Sequence, residues 1–409
     1  MCVAEANYGS WIWRLRITRL ETEFAGVRMR NPLILSSATP SWDGAHCHEA
    51  WLNEAGAVVP KSFAPPAKFA QHPRCGRMKI VREGKSQIGM INIELYTTMN
   101  LQDWLENDLQ EASQGDSCII ASVVAHPDPD ATARNARIIE DTHKVAMFEI
   151  NVSCPMPADE SKIGFQMGND PAACQAQLRA VKKAVDLPVG IKLSPTTHNM
   201  VPVAKAAEAA GADFLTIGNS VRAFAGVDIA TGLPKLPAYG GYSGPAIKPI
   251  TQRHVSEVAR AVATPISACG GVATWEDVVE YIMLGATTVQ LCTSIMWKGY
   301  GHFQTILKGL REYLEDEDLE SLAAVRGKVL PHITTIDEVA KRPPLVSHVD
   351  PERCTNLKRG GCELCGKVCF YGAIEFSPRL KLKAEKCDGC NLCVEICPAG
   401  ALQLLPPVS

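Results

Sequence analysis

A cysteine cluster constrains this chain more than any other feature, because eight of its 16 cysteines lie between Cys354 and Cys397. Such clustering predicts either metal ligation or a framework of disulfides. Disulfide frameworks are typical of small secreted domains. The N-terminal residues mix Trp11 and Trp13 with arginines and do not form the apolar core of a secretion signal. Metal ligation is therefore the favoured interpretation.

The spacing of the last four cysteines distinguishes between metals. Cys387, Cys390, Cys393 and Cys397 precede Pro398 in a C-x2-C-x2-C-x3-C-P run, by which bacterial-type ferredoxins hold iron–sulfur clusters. Zinc is the alternative metal, but four-cysteine zinc sites separate their C-x2-C pairs by a longer loop and have no use for the final Cys-Pro. The run therefore predicts a [4Fe–4S] cluster.

The same run occurs upstream with one departure. Cys362, Cys365 and Cys369 match its last three cysteines, whereas Cys354 stands farther from Cys362 than the motif requires. In bacterial ferredoxins the fourth cysteine of each run ligates the other cluster. This crossed pattern predicts two clusters, one held by Cys354, Cys362, Cys365 and Cys397 and the other by Cys369, Cys387, Cys390 and Cys393.

Short apolar runs alternate with alanine-rich stretches from Asn31 to Leu314. The runs predict strands and the stretches predict helices. Eight strands with intervening helices indicate a (β/α)8 TIM barrel. A doubly wound open sheet is the alternative, but no G-x-G-x-x-G loop follows an early strand. The predicted strands are Leu33–Ser37, Ala57–Lys61, Ile119–Val124, Met147–Val152, Val189–Leu193, Phe214–Gly218, Ile266–Ala268 and Thr288–Leu291.

These patterns divide the chain into four segments. We expect an N-terminal extension over residues 1–20 and the barrel over 21–320, with Thr22 to Met29 forming a hairpin at its bottom. A helical linker over 321–349 then leads to an α+β ferredoxin-like domain over 350–409. The 46% of hydrophobic residues in a chain of 409 can supply one large core and a smaller second domain.

Charge and hydropathy exclude two classes of partner. The formal net charge is −3 and no basic block recurs along the chain, which argues against nucleic-acid binding. No apolar run approaches the roughly 20 residues that cross a bilayer. We therefore expect a cytoplasmic protein that acts on a small molecule.

Polar residues collect after the predicted strands, at the carboxyl ends where TIM barrels carry their chemistry. Turns containing Gly270-Gly271 and Cys292-Thr293 follow the seventh and eighth strands, where such barrels commonly bind a phosphate through backbone N–H groups. A phosphorylated ligand is therefore expected. The strand-end residues are Lys61, Asn151, Cys154, Lys192, Asn219 and Ser220.

Four stretches of the chain resemble a known family, namely Asn151–Pro155, Ile191–Pro195, Gly241–Pro249 and Cys269–Gly271. They are similar to the flavin barrel shared by dihydroorotate dehydrogenases and dihydropyrimidine dehydrogenases. Together with a C-terminal two-cluster domain, the chain resembles the dihydropyrimidine branch, particularly its bacterial catalytic subunit. The resemblance extends from Leu20 to Leu404.

The resemblance implies a barrel that binds flavin mononucleotide (FMN) and reduces the C5–C6 double bond of uracil or thymine, with Cys154 as the proton donor. A thiol, whose pKa is ordinarily about 8.5, exchanges protons near neutrality, whereas a serine hydroxyl is far too weak an acid. Lys192 would stabilise negative charge on the reduced flavin. The alternative for Lys192 is a salt bridge to an acid that the sequence does not identify, because a lysine inside an apolar strand needs a partner.

The same resemblance assigns the remaining site residues. Asparagine amides offer a donor and an acceptor to a ring that presents both. The substrate-binding residues are Asn92, Glu94, Asn151, Asn219 and Ser220. The FMN-binding residues are Ser37, Ala38, Lys61, Ser62, Asn92, Asn151, Lys192, Ser243, Gly244, Gly270, Gly271, Cys292 and Thr293.

Two other functions stay open. Asn219-Ser220 is also the pair found in dihydroorotate dehydrogenases, although Glu94 would repel the carboxylate of orotate. The substrate also stays open, because the loop from Pro155 to Gly168 differs from that of the animal dihydropyrimidine enzymes. This loop, expected to close over the substrate, carries Met156 and Pro157 where those enzymes have His-Gly. The other alternative is a non-catalytic electron-transfer subunit, which would leave Cys154 without a role.

The electron donor is expected to be another protein. The predicted barrel begins near Asn31, which leaves no room for the flavin adenine dinucleotide (FAD) and nicotinamide domains that animal dihydropyrimidine dehydrogenases carry. The two clusters would relay electrons from a flavoprotein subunit that holds FAD and binds NAD(P)H, with a ferredoxin as the alternative donor. A homodimer or a heterotetramer is the expected assembly.

Overall fold

The computed structural model describes residues 20–63, 74–94, 96–97, 99–154 and 165–407. The expected N-terminal extension lies outside the described residues except for Leu20, and so does most of the loop from Pro155 to Gly168. The chain divides into one compact unit that ends at Pro331 and a second that begins at His332. This division falls inside the segment that the sequence suggests as a linker.

Eight parallel strands form the centre of the first unit. Around the sheet they follow the order second, first, eighth, seventh, sixth, fifth, fourth and third. Parallel bridges join Val58 to Ile119 and Phe63 to Val123, which brings the second strand beside the third. The predicted (β/α)8 barrel is therefore confirmed and the open-sheet alternative is wrong. The barrel strands are Leu33–Leu35, Ala57–Val58, Ile120–Val124, Met147–Asn151, Val189–Leu193, Phe214–Ile217, Ile266–Cys269 and Thr288–Leu291.

Helices cover the outside of the barrel, and their sequences carry clear start signals. Asp128 and Asp170 each accept a backbone N–H from the first helical turn, immediately before Pro129 and Pro171. The barrel strands are consequently buried on both faces, as parallel strands usually are. The α-helices of this unit are Gly44–Leu52, Leu101–Asp103, Leu109–Ala112, Pro129–Glu140, Phe165–Gly168, Pro171–Ala184, Val201–Ala209, Lys248–Ala259, Trp275–Met283, Thr293–Lys298 and His302–Asp316.

A hairpin of Thr22–Phe24 and Val27–Met29 closes one end of the barrel. Phe24 and Met29 are buried in one apolar cluster with Met147 and Phe214. The ring centroids of Phe24 and Phe214 are 5.0 Å apart. Met147 and Phe214 begin their strands, so the hairpin covers the amino-terminal end and leaves the carboxyl-terminal end open to ligands.

A four-stranded antiparallel sheet, which the sequence patterns do not indicate, is inserted after the second and sixth barrel strands. Its strands follow the order Val221–Ala223, Gly240–Ser243, Ser86–Asn92 and Met78–Glu83. Gly241 pairs with Asn92, and this brings two distant parts of the chain into contact. A short hairpin of Val227–Asp228 and Leu233–Pro234 precedes the Gly240–Ser243 strand.

The second unit contains two antiparallel strand pairs. Val346–Val349 pairs with Leu402–Leu405, and Ile374–Phe376 pairs with Leu380–Leu382. Its α-helices are Ile336–Ala340, Thr355–Arg359, Leu364–Lys367 and Leu392–Glu395.

The segment 321–349 differs from the helical linker that the sequence suggests. It contains the short helical turns Leu322–Val325 and Leu330–His332 and the helix Ile336–Ala340, but it ends in the strand Val346–Val349. That strand supplies backbone partners to Leu402–Leu405, whose N–H and C=O groups would otherwise lack them. No helix in the described part of the chain is long and apolar enough to span a membrane.

Candidate active site

A cavity of about 330 Å3 lies at the carboxyl ends of the barrel strands. This volume is within the range of small-ligand pockets. The predicted FMN and substrate residues all line it, with the exception of Lys192, although their individual roles stay predictions. The predicted residues in the lining are Ser37, Ala38, Lys61, Ser62, Asn92, Glu94, Asn151, Cys154, Asn219, Ser220, Ser243, Gly244, Gly270, Gly271, Cys292 and Thr293.

Cys154 follows the fourth barrel strand and lies half-buried in the cavity wall. The Tyr96 hydroxyl donates a hydrogen bond to its thiol. Burial, with a further contribution from Cys154, holds the pKa of Tyr96 well above its usual range, so this phenol stays protonated. Sequence reasoning missed Tyr96, because no motif connects it to a cysteine so distant along the chain.

The three predicted asparagines are held by bonds at their amide groups. Asn151 donates to Ser62 Oγ at 3.0 Å, and Asn219 donates to Ser153 Oγ at 2.9 Å. Asn92 donates to a backbone carbonyl of the four-stranded sheet at 3.3 Å. Each of these bonds uses one of the two N–H groups of the amide, so a second donor is left for a ligand. The cavity thus presents oriented amides.

Glu94 is buried in the same wall and is paired with Arg77, whose Nε lies 2.9 Å from Glu94 Oε1. The sequence interpretation treats Glu94 as an isolated negative charge. Because the guanidinium offsets that charge, repulsion of a bound carboxylate is weaker than the sequence suggests.

Lys192 lies behind the cavity lining. Its Nζ donates to Ser36 Oγ at 3.0 Å and to Gln290 Oε1 at 3.2 Å, and both of these residues line the cavity. Its Nζ also lies 3.7 Å from Oε1 of Glu149, a fully buried carboxylate. Glu149 is therefore the acid that the sequence left unidentified. Two opposite charges in neighbouring apolar strands were the available signal for this pair.

The pKa values of the two buried lysines of the site shift in opposite directions. Burial lowers the pKa of Lys192, but Cys269 and Glu149 more than compensate, so its pKa is raised overall and the ammonium is charged at neutral pH. Burial lowers the pKa of Lys61, and Glu94 only partly offsets this effect. Of the two lysines, Lys192 therefore holds its proton, and with it its positive charge, more strongly than Lys61.

The turns after the seventh and eighth strands fit a phosphate-bearing ligand. Gly271 has φ +76°, and a Cβ there would lie 2.8 Å from the backbone nitrogen of Lys248, so only glycine suits this turn. Ser294 Oγ and Trp297 Nε1 line the cavity and are buried without a hydrogen-bond partner among the described residues. A buried donor without an acceptor is costly. A bound phosphate supplies acceptors, so these residues fit FMN.

Two further cavities, in the second unit, are lined by cysteines. The insertion after Cys354 forms the helix Thr355–Arg359, and this accommodates the longer spacing of the first run. The cysteine sets are those that the crossed pattern predicts, and their role as ligands stays a prediction. One set is Cys354, Cys362, Cys365 and Cys397, and the other is Cys369, Cys387, Cys390 and Cys393.

The arrangement of these thiols bears on the choice between zinc and iron–sulfur. Over the described ranges, no three His, Cys, Asp or Glu side chains converge closely enough to hold a single metal ion. A zinc ion requires four ligands within about 2.3 Å of one point. A [4Fe–4S] cluster instead receives each thiolate at a separate iron. The choice between the two metals rests on the cysteine spacing, which favours a cluster.

Comparison with known proteins identifies both units. Residues 19–314 match the dihydroorotate dehydrogenase family model, and residues 381–403 match a 4Fe-4S binding domain. The dihydroorotate dehydrogenase B (NAD(+)) catalytic subunit of Pyrococcus furiosus is 33% identical over 310 residues, 75% of this chain and 98% of that protein. The NAD-dependent dihydropyrimidine dehydrogenase subunit PreA of Escherichia coli is 30% identical over 375 residues, 88% of this chain and 89% of that protein.

The family match covers the whole barrel and its cavity, and the second match covers the C-terminal cysteine run. The resemblance drawn from the short motifs is thereby confirmed. The chain belongs to the dihydroorotate dehydrogenase family and is an FMN-dependent, iron–sulfur oxidoreductase that acts on CH–CH bonds.

Proposed function

We propose that this chain reduces the C5–C6 double bond of uracil or thymine, taking a proton from Cys154 and electrons through two [4Fe–4S] clusters. The observation that carries the proposal is the extent of the alignments. Similarity to the dihydropyrimidine dehydrogenase subunit covers 88% of the chain, beyond the barrel, whereas that to the dihydroorotate catalytic subunit covers 75%. This alignment is longer than the first unit, so it includes at least part of the cysteine-lined unit.

The asparagines bind and orient the ring. Asn92, Asn151 and Asn219 each keep one amide N–H for a ligand, and these donors suit the carbonyl groups of a pyrimidine. Their amide oxygens already accept hydrogen bonds from Glu94, Ser153 and Ser220. Their hydrogen bonds to Ser62, to Ser153 and to the backbone hold the amides in place before the substrate arrives. Less reorganisation is then needed on binding.

Cys154 donates the proton to C5 of the ring, and Tyr96 assists it. The hydrogen bond from the Tyr96 hydroxyl stabilises the thiolate that remains after the proton leaves. Because Tyr96 itself does not ionise near neutrality, the bond persists across the working pH range. This pairing also argues against a purely electron-carrying subunit, which has no use for a proton donor in the cavity.

Lys192 and the glycine turns would hold the flavin. Bound FMN supplies the two electrons as a hydride. The Lys192 ammonium, whose pKa Cys269 and Glu149 raise, places positive charge behind the cavity lining, which would stabilise the negative charge of a reduced flavin. Gly270, Gly271 and Thr293 provide the close backbone approach and hydroxyl that suit a phosphate.

The two cysteine sets support two clusters and an external electron donor. Both relatives are named as subunits, which supports a partner protein here as well. A flavoprotein subunit with FAD and an NAD(P)H site is the proposed donor, and a ferredoxin is the alternative.

Dihydroorotate chemistry is the second candidate function. Arg77 neutralises Glu94, so the cavity is less hostile to the carboxylate of orotate than a lone glutamate would be. The barrel also matches dihydroorotate catalytic subunits over nearly their entire length.

An anaerobic assay distinguishes these candidates. The purified protein is given uracil, thymine or orotate with a reduced dye as donor, and consumption of each substrate is followed. We expect turnover of uracil or thymine and little of orotate. Turnover of orotate alone would reassign the substrate, and turnover of none of the three would contradict the proposal.

Iron analysis tests the cluster part of the proposal. Two [4Fe–4S] clusters require about eight iron atoms per chain. The replacement Cys390→Ser should lower the iron content while the barrel retains its flavin, and Cys75→Ser, an exposed cysteine outside both sets, is the control. Zinc in place of iron after anaerobic purification would contradict the assignment.

A further inference from the structure

The two cysteine-lined cavities are built by equivalent elements. Ile374 and Leu402 follow the two cysteine runs at the same distance and begin the strands Ile374–Phe376 and Leu402–Leu405. In the strand pairing, Ser347 lies opposite Leu404 in the same way that Leu380 lies opposite Phe376. Ser347 and Leu380 therefore occupy equivalent positions in the two halves.

The backbone contacts common to both halves give each cavity one donor. The Ala373 N–H donates to Cys369 Sγ at 3.2 Å, and the Ala401 N–H donates to Cys397 Sγ at 3.3 Å. These bonds are matched in kind and in length. These two bonds therefore do not give the two clusters different reduction potentials.

Ser347 breaks this equivalence. It lines the cavity of Cys369, Cys387, Cys390 and Cys393. Its backbone N–H lies 3.3 Å from Cys387 Sγ and its Oγ lies 3.4 Å from Cys393 Sγ. A cysteine that ligates iron has no proton, so in both contacts Ser347 is the donor.

The equivalent Leu380 makes neither contact. It lines the cavity of Cys354, Cys362, Cys365 and Cys397, and its N–H donates to Asn356 Oδ1 at 2.8 Å. Its side chain has no donor. The cavity at Leu380 has backbone donors of its own, because the N–H groups of Cys365 and Gly366 face the Cys365 thiol. Among the described residues, the Ser347 hydroxyl is therefore a side-chain donor to a cysteine sulfur that the cavity at Leu380 lacks.

Hydrogen bonds to the ligand sulfurs are among the factors that set the potential of an iron–sulfur cluster. Reduction adds one negative charge to the cluster and its ligands. A donor aimed at a sulfur stabilises the more negative state more strongly, so it raises the reduction potential. Of the two donors, only the hydroxyl can be removed by substitution without changing the backbone.

We propose that Ser347 raises the reduction potential of the cluster at Cys369, Cys387, Cys390 and Cys393 above that of its neighbour. The first electron to enter the second unit then rests on this cluster. The inference rests on the proposed pair of clusters and adds an order between them.

The test is a potentiometric titration of the intact, iron-loaded protein, followed by electron paramagnetic resonance, with the variants Ser347→Ala and Leu380→Ser. In Ser347→Ala the higher of the two midpoint potentials should fall by about 59 mV. For one electron, this corresponds to a change of about tenfold in the reduction equilibrium. Leu380→Ser, the matched variant, introduces a hydroxyl at the equivalent position. It should raise the lower midpoint and leave the higher one in place.

Iron content separates failure of this inference from failure of the proposed function. If the wild-type protein holds only about four iron atoms per chain, the pair of clusters is wrong. If it holds about eight and Ser347→Ala leaves both midpoints unchanged, the clusters stand and the role of Ser347 is wrong. Movement of the lower midpoint in Ser347→Ala would also overturn the inference.

Discussion

Cys154 and Tyr96 form the contact on which the proposed proton donation depends. Replacement of Cys154 by Ala should reduce turnover of a pyrimidine by roughly 10²–10⁴, because general-acid catalysis is lost. The donor should still reduce the flavin, since no flavin-binding group is removed. Steady-state turnover and the flavin absorbance measure the two effects. Cys75→Ala, at an exposed position outside the cavity, is the control, and full activity of Cys154→Ala would exclude its role as the acid.

Tyr96 gives a second prediction at the residue scale. Tyr96→Phe removes the donor that stabilises the Cys154 thiolate, so the thiol should hold its proton to higher pH. The acid must be protonated to act. The alkaline limb of the pH–rate profile should therefore move to higher pH. Because a thiol with a higher pKa is also a weaker acid, turnover near neutrality should fall by about tenfold. A profile that coincides with that of the wild type would show that Tyr96 does not act through Cys154.

At the scale of elements, we predict that the turn after the seventh barrel strand contacts the cofactor. Gly271→Ala places a Cβ against the Lys248 backbone in a left-handed conformation, so the turn must shift. Flavin per chain, measured after purification, should fall while the circular dichroism stays that of a folded barrel. Gly76→Ala is the control, because a Cβ there meets no atom within 4 Å. Normal flavin content in Gly271→Ala would show that this turn does not contact the cofactor.

The fourth and fifth barrel strands are joined by the buried Glu149 and Lys192 pair. Glu149→Gln leaves a buried ammonium without its counter-ion, which should lower the free energy of unfolding by about 3 kcal/mol at pH 7. The raised pKa of Lys192 stabilises the wild type below the ordinary lysine pKa, and this contribution is lost as pH rises through the raised value. The difference between the two proteins should therefore shrink in alkaline solution.

Urea unfolding of the flavin-free proteins at neutral and alkaline pH measures this difference. The control is Glu312→Gln, which removes an exposed pair with Lys308 and should change stability little. An equal loss for Glu149→Gln and Glu312→Gln would contradict a structural role for the buried pair.

At the scale of the whole molecule, the prediction concerns where electrons enter. We expect that NADH or NADPH, mixed anaerobically with the pure protein, does not bleach the flavin absorbance. Addition of a flavoprotein that oxidises NAD(P)H, or of a reduced ferredoxin, should then reduce it. Rapid bleaching by either nucleotide alone would show that this chain itself holds a nicotinamide site.

Much of this architecture was predictable, because it depends on patterns that are local in the sequence. The alternation of short apolar runs with helical stretches identifies the eight strands, and parallel strands carry their functional residues at one end. For this reason Asn151, Cys154 and Asn219 could be assigned to one cavity before any contact was known. The cysteine spacings are equally local, and the two predicted sets line two separate cavities.

The contacts that tune the site were not predictable, because they join residues that are distant in the chain. Tyr96 reaches Cys154 through loops, and Arg77 reaches Glu94 through the inserted sheet, for which no sequence pattern gave a register. The sequence alone determined the fold class, the approximate positions of the barrel strands and the grouping of the cysteines around two cavities, since periodicity and spacing encode them. Only the tertiary structure decided which partner each buried charge and thiol has, because burial makes such partners necessary but does not specify where in the chain they come from.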